Sequence, residues 1–312
     1  SDVNVLPLQR VLDDEGNALR MSVHAPAAGE IWIEAWTAHV GRCQLVLLDT
    51  NVAGNSDEVR ALTSQLYGGG TTVRIRQELV LGVGGLRFLQ AMHISPGVIH
   101  MNEGHSAFAA LELARSLMHR DGVGFAEVEE RAAAMCVFTT HTPVAAGHDR
   151  FSYEQVHETL GSLAEEIGLD SHHLMGLGRV NPDDSGETFC MTVLGMKMSR
   201  HRNAVSALHG RVTRTMWHPL WHDRAEHEVP VGHITNGVHL PTWLAPQMGS
   251  LYARYLGEDW QHHLYDPQIW QAIDQIDDEE LWEQNQILKS RLVDFVRRRV
   301  RAQEEARGQI SD

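Results

Sequence analysis

Lysine is nearly absent: among the 26 basic residues only Lys197 and Lys289 are lysines, so chemistry that needs an ε-amine has almost nowhere to occur. Cysteine is equally sparse. Cys43, Cys136 and Cys190 are odd in number and far apart, with no paired spacing for zinc or a redox couple, which leaves buried, reduced thiols as the expectation. No apolar run approaches the ~20 residues of a membrane helix and no basic-then-apolar leader is present, so a cytoplasmic globular protein is expected, with no membrane partner. Positive charge is in deficit too. A formal charge of −15 repels phosphate backbones and anionic lipid over most of the surface, so nucleic acid is not an expected partner. The basic run Arg297, Arg298, Arg299 and Arg301 falls near the end of a predicted helix, where cations complement the dipole. There is no G-x-S-x-G nucleophile elbow. Gly82, Gly84 and Gly85 resemble fragments of a dinucleotide fingerprint, but lie inside a helical run and not directly after a strand.

What is present reads as an α/β protein. At 312 residues the chain can form one large domain or two smaller ones. Ile31, Ile33 and Ala35 alternate with Trp32, Glu34 and Trp36, and Gln44 to Leu48 is a second β-favouring run, closed by Asp49-Thr50-Asn51. Helices are expected around Asp57 to Tyr67 and Arg74 to Met92, separated by Gly68-Gly69-Gly70. Short apolar strands at Val98 to Met101 and Met135 to Thr139 flank a helix at Ser106 to His119, which is βαβ grammar. It continues through helices near Tyr153 to Ile167 and Met191 to Arg200, a loop at Asn181 to Gly186, and strands at Ala204 to Ala207 and Gly232 to Thr235. After Pro241 the chain turns to helices rich in tryptophan and charge, ending in one from Asp278 to about Arg307. Asp277 with Glu280 resembles a capping box there, and Leu281, Leu288, Leu292, Phe295 and Val296 share a stripe that needs a partner surface.

In an open parallel sheet, ligands sit beyond the carboxyl ends of the strands, so polar residues just after each strand should share a crevice. Three clusters qualify: Asn102-Glu103-Gly104-His105, Thr140-His141-Thr142-Pro143 and Asn236-Gly237-Val238-His239, with Asn203, Ser206, His209 and Gly210 beside a fourth strand. Amides, a carboxylate, imidazoles and hydroxyls suit a sugar ring, whose hydroxyls both donate and accept. Taken singly, each cluster also reads as ordinary turn or cap chemistry. A metal centre at His100, Glu103, His105 and His141 fits poorly, because the group straddles a strand-to-helix turn, and none is expected.

At these clusters the chain resembles the α-glucan (glycogen-type) phosphorylases, bacterial branch. The segments Arg74 to Gly85, His100 to Leu113, Phe138 to Phe151, Asn203 to Arg214 and Ile234 to Leu244 follow that family's motifs in order. The resemblance implies the Rossmann-like half of a two-domain, GT-B-like glycosyltransferase with a helical C-terminal extension: residues 1–240 as an incomplete N-terminal domain, residues 241–312 leading towards a missing C-terminal cofactor domain. It implies α-1,4-glucan and phosphate as partners, glucose 1-phosphate as product, and pyridoxal phosphate as cofactor of the intact parent protein. By motif, His141 and Asn236 correspond to residues that hydrogen-bond the glucosyl unit. Glu103 and His105 correspond to the acid and histidine beside its anomeric side, with Asn102 adjoining, and Asp149 to an acidic residue near the cleft.

The sequence also departs from the family pattern. Gly70 stands where an aspartate is expected, and neither Lys197 nor Lys289 resembles a cofactor lysine. No cofactor is therefore expected on this chain, which is expected to be inactive alone and to associate through uncovered apolar surface, including as a homo-oligomer. The alternative is a non-catalytic glucan-binding or regulatory module.

Overall fold

The computed structural model describes residues 6–65 and 68–306, which divide into two compact units on either side of the Asn236–Gly237 bond. The first begins with an antiparallel sheet. β1 (Gln9–Arg10), β2 (Arg20–Ala25) and β4 (Cys43–Asp49) all pair with the long β3 (Gly29–Val40). The alternation in β3 points Ile31 and Ile33 inward, fully buried, where each such side chain contributes roughly 1.5–3 kcal/mol.

The helix expected from Asp57 to Tyr67 is shorter. Only α1 (Asp57–Arg60), capped by Ser56, is helical before turns begin, while Leu66 and Tyr67 lie outside the described residues. The next expectation holds with a twist in it: α2 (Thr71–Leu79) runs through one π turn, Val80–Gly84, into α3 (Gly85–Ala91). Glycines allow that turn its close packing, since a Cβ on Gly82 would lie 2.8 Å from the backbone nitrogen of Ala109.

The centre of the unit is a four-stranded sheet of β5 (Ile99–Asn102), β6 (Cys136–Thr140), β9 (His201–Ala204) and β10 (Gly232–His233). All are parallel, in the order β10-β9-β6-β5. Between β5 and β6 run α4 (Phe108–Asp121) and α5 (Phe125–Ala134), the latter not anticipated from sequence. α4 stops at Gly122, whose φ of +68° is the left-handed conformation of a helix C-terminus. Between β6 and β9 come β7 (Arg150–Phe151), α6 (Tyr153–Glu166), α7 (Ser171–Leu177), β8 (Phe189–Cys190) and α8 (Met191–Lys197), β7 and β8 forming a separate antiparallel pair. β9 lies three residues earlier than expected. Ser206 caps α9 (Ala207–Trp217) by accepting from the His209 N–H, so Ala207 opens a helix instead of closing a strand. Phe108, Leu111, Phe138, Met191 and Leu194 bury the seam between sheet and helices.

The second unit is helical: α10 (Leu240–Trp243), α11 (Pro246–Leu256), α12 (Pro267–Trp270) and α13 (Asp278–Ala306). Its small core is aromatic, with Trp260 buried edge-on to Tyr252 at 5.5 Å and Trp270 at 5.9 Å. Asp277 caps α13 through the N–H groups of Glu279 and Glu280. Glu280, expected to complete a capping box, instead accepts from Tyr255 and pairs with Arg254. The expected stripe divides, with Leu281 and Leu288 half-buried and Leu292, Phe295 and Val296 exposed. The arginine run Arg297 to Arg301 lies near the described end of α13, with Glu304 and Glu305 in the turn after it; Arg307 lies outside the described residues. Among the described residues no helix is long and apolar enough to cross a membrane.

Candidate functional site

Because β5, β6 and β9 are parallel and adjacent, the segments leaving them emerge at one sheet edge. Thr139 ties the strands together by side chain: its Oγ1 lies 2.7 Å from His100 Nε2 and donates to Asn203 Oδ1 at 3.0 Å. His100 and Asn203 are thereby bonded within the sheet itself.

At the end of β5 the backbone is strained. Glu103 has φ +61° and ψ 179°, a region almost reserved for glycine, which costs a residue with a side chain about 1–3 kcal/mol. The surroundings hold it there: its N–H donates to Thr139 O at 2.8 Å, while Oε1 accepts from Thr140 Oγ1 at 3.2 Å and from the backbone N–H of His141. The next residue must be small, since a Cβ on Gly104 would stand 2.6 Å from Met191 Cβ. His141 Nε2 lies 3.4 Å from Asn102 Oδ1, so both clusters are joined twice.

Glu103, Gly104, His105, His141, Thr142, Gly147, His148, Asp149 and Thr192 enclose a hollow of about 320 Å³, at the lower end of small-molecule sites. The structure thus brings Glu103, His105, His141 and Asp149 together, with Asn102 hydrogen-bonded to His141. It does not bring Asn236 to the same wall. That residue follows β10 on the same side of the sheet, its N–H donating to Val205 O at 3.1 Å and its side chain exposed. A larger hollow, about 560 Å³, lies in the second unit and contains none of these residues; size alone does not supply converging polar groups.

Behind His105 is a cluster that sequence reading did not assemble. Arg74 meets Glu78 at 3.3 Å and Asp149 at 3.2 Å and abuts the His105 ring. His105 Nδ1 lies 3.2 Å from Asp149 and 3.4 Å from Glu78, whose side chain is 1% exposed. Burial pushes the Glu78 carboxyl up to about 7, with His105 opposing. Hydrogen bonding to Asp149 and then Glu78 raises His105 to about 9, outweighing burial and the nearby guanidinium. Burial works against ionisation of Asp149, yet its bonds with His105, Glu78 and Arg74 prevail and hold it well below the usual carboxylate range. Glu78, His105 and Asp149 are close enough to hold a cation together, but the Arg74 guanidinium already supplies the positive charge at that point.

His148, also unmarked in the sequence reading, is buried beside the hollow. Its Nδ1 shares a 2.8 Å hydrogen bond with Thr192 Oγ1, its ring stands edge-on to Trp217 at 5.0 Å, and burial lowers its pKa. The hollow therefore sets one imidazole kept neutral beside one kept charged.

The profile of the carbohydrate phosphorylase family matches residues 89–307. The chain is 38% identical over 97% of its length to the maltodextrin phosphorylase of Thermococcus litoralis. It is 37% identical over 96% to the glycogen phosphorylase of Mycobacterium tuberculosis, and 33% over 95% to that of Aquifex aeolicus. It spans only 35–42% of the length of these curated relatives.

Proposed function

Since the chain belongs to the carbohydrate phosphorylase family, we propose that it forms the glucan-binding part of an α-1,4-glucan phosphorylase. The whole protein moves a terminal glucosyl unit to phosphate in the cytoplasm. The bond from the anomeric carbon to the glucan oxygen breaks, that oxygen takes a proton, and a phosphate oxygen takes its place on the carbon. In this reading residues 1–240 are the Rossmann-like half of a GT-B-like fold, and residues 241–312 lead to the domain that completes it.

The observation that carries the reading is the double tie of Glu103 and Asn102 to His141, which sets a carboxylate and an imidazole on the wall of one hollow with an amide bonded to that imidazole. His141 and Asn102 would bind sugar hydroxyls, joined by Asn236 as the cleft closes. Glu103 and the charged His105, backed by Asp149, would face the anomeric side. These are positioning and electrostatic roles, strongest when water is excluded.

Pyridoxal phosphate is the cofactor of the whole protein in this reading, but the lysines here do not suit it. Lys197 Nζ donates to Gly176 O at 2.8 Å and Arg179 O at 2.7 Å, and Lys289 is exposed on α13. The Schiff-base lysine and the phosphate-clamping cations would come from elsewhere in the whole protein, and the 312 residues would be inactive by themselves.

Two measurements test this. Maltoheptaose should perturb the imidazole resonances of His105 and His141, and no glucose 1-phosphate should form when phosphate and pyridoxal phosphate are added to the 312 residues. Unperturbed imidazoles at saturating glucan would refute the site, and turnover would refute the division of labour.

A further inference from the structure

We propose that Glu78 is a positioning residue of the hollow, fixing the ring of His105 from behind through direct contact and through Arg74 and Asp149. The inference rests on the glucan-site reading and extends it to a residue that does not line the hollow.

The geometry argues for more than a buried ion pair. α2 passes behind the turn that follows β5, and Arg74 and Glu78, one helical turn apart, face His105 together. The π turn begins two residues after Glu78, at Val80. Such turns shift the phase of a helix and recur at functional sites. Here the shift falls between the half of the helix that carries the cluster and the half that packs Arg87 on Glu112 at 3.2 Å.

His105 lies where two hollows meet. It lines the one just described and a second of about 260 Å³, formed by Leu62, Thr63, Gln65, Arg74, Gln77, Glu78 and Leu81. An imidazole with open space on both sides needs anchors to keep one orientation. Asp149 supplies one from the solvent side, and Glu78 supplies the other from the core, where water cannot substitute for it.

The charged groups facing Glu78 are Arg74 on its own helix, His105 after β5 and Asp149 before β7, with Glu103 and His148 on the wall of the first hollow. Among the described residues Glu78 Oε2 is buried with no hydrogen-bond partner, while Oε1 meets both Arg74 and His105. That is a weak design for stability and a specific one for orientation: an apolar side chain of similar volume would fill the site as well without a buried charge.

The test compares the 312-residue protein with its Glu78→Gln and Asp149→Asn variants. Two quantities are read for each: the titration midpoint of His105, assigned by its loss in His105→Gln, and the affinity for maltoheptaose. Glu78→Gln is expected to lower the midpoint by about one pH unit or more and to weaken binding about tenfold. Should it fail to fold, Asp149→Asn acts on the same ring from the half-exposed side and is expected to move both quantities in the same direction. Weaker binding with an unmoved midpoint would mean a general packing role and overturn the proposal, as would no change in either. If the midpoint moves but His105→Gln binds maltoheptaose as well as the parent, the anchoring of the ring stands and the glucan-site reading falls.

Discussion

The carboxylate of Glu103 accepts a hydrogen bond from the backbone N–H of His141, fastening the chain that leaves β5 to the chain that leaves β6. An acidic residue on the wall of the hollow is therefore partly engaged in holding its neighbour, and it does so from a backbone conformation unfavourable to it.

That tension separates two substitutions. Glu103→Ala keeps the strained φ and loses both acceptor bonds, so it should be destabilised by about 1–3 kcal/mol. Glu103→Gly loses the same bonds but relieves strain of similar size and should remain within about 1 kcal/mol of the parent, although maltoheptaose binding is lost. Urea unfolding midpoints decide; equal losses in the two variants would remove the case for strain.

Stability should decline on the alkaline side of neutrality. His105, raised from 6.5 to about 9, contributes fully below pH 6.5 and loses that contribution as pH rises through 9. Glu78, raised from 4.5 to about 7, contributes fully below 4.5 and loses it as pH rises through 7. Asp149 acts in the opposite sense, contributing above 3.8 and losing it in acid. Between pH 6.5 and 9 the parent should lose on the order of 1–3 kcal/mol that His105→Gln does not. Superimposable pH profiles would contradict the ionic state assigned to the cluster.

Lys197 is a structural lysine by its contacts. Lys197→Met orphans the carbonyls of Gly176 and Arg179 and should cost about 1–3 kcal/mol, seen as a lower melting temperature. Burial lowers its pKa, but its proton is committed to those two oxygens. Borohydride reduction with pyridoxal phosphate should leave Lys197 unmodified in the peptide map.

Gly104→Ala places a methyl group 2.6 Å from Met191 Cβ and 3.1 Å from the Thr192 nitrogen, so α8 or the Glu103 turn must move. A loss of about 1–3 kcal/mol is expected, together with displaced His105 and His141 resonances. Unchanged spectra would show that the turn has room the close approach denies.

The start of the parallel sheet was legible because β5 and β6 are short runs with apolar residues, each followed at once by polar turn residues, as at Met101-Asn102-Glu103 and Phe138-Thr139-Thr140-His141. The convergence of Glu103, His105 and His141 follows from that pattern once the strands are adjacent and parallel. The His105 cluster was not legible in the same way, since residues 74, 78, 105 and 149 belong to three separate segments. One local signal existed: Glu78 shares the inward side of α2 with Ile75 and Leu79, a carboxylate on an apolar face with Arg74 one helical turn before it. His148 gave no such sign, because the loop after His141 has no periodicity to show which side chain turns inward. β9 was misplaced by three residues because Val205-Ser206-Ala207 reads equally as the end of a strand and the start of a capped helix. The short length of α1 had no marker in the sequence.

The single π turn at Val80–Gly84 makes the helix behind the hollow longer by one residue than an α-helix would need to cover the same rise. Removing that residue would restore regular geometry and swing everything after it by about 100°, carrying the Arg87 guanidinium away from Glu112 and from the Ser22 carbonyl 2.9 Å from it. The insertion acts as a phase adjuster. It lets one continuous rod present a cation to Asp149 and His105 at its start and another to the β2 sheet further along, two registers that uniform winding could not satisfy together.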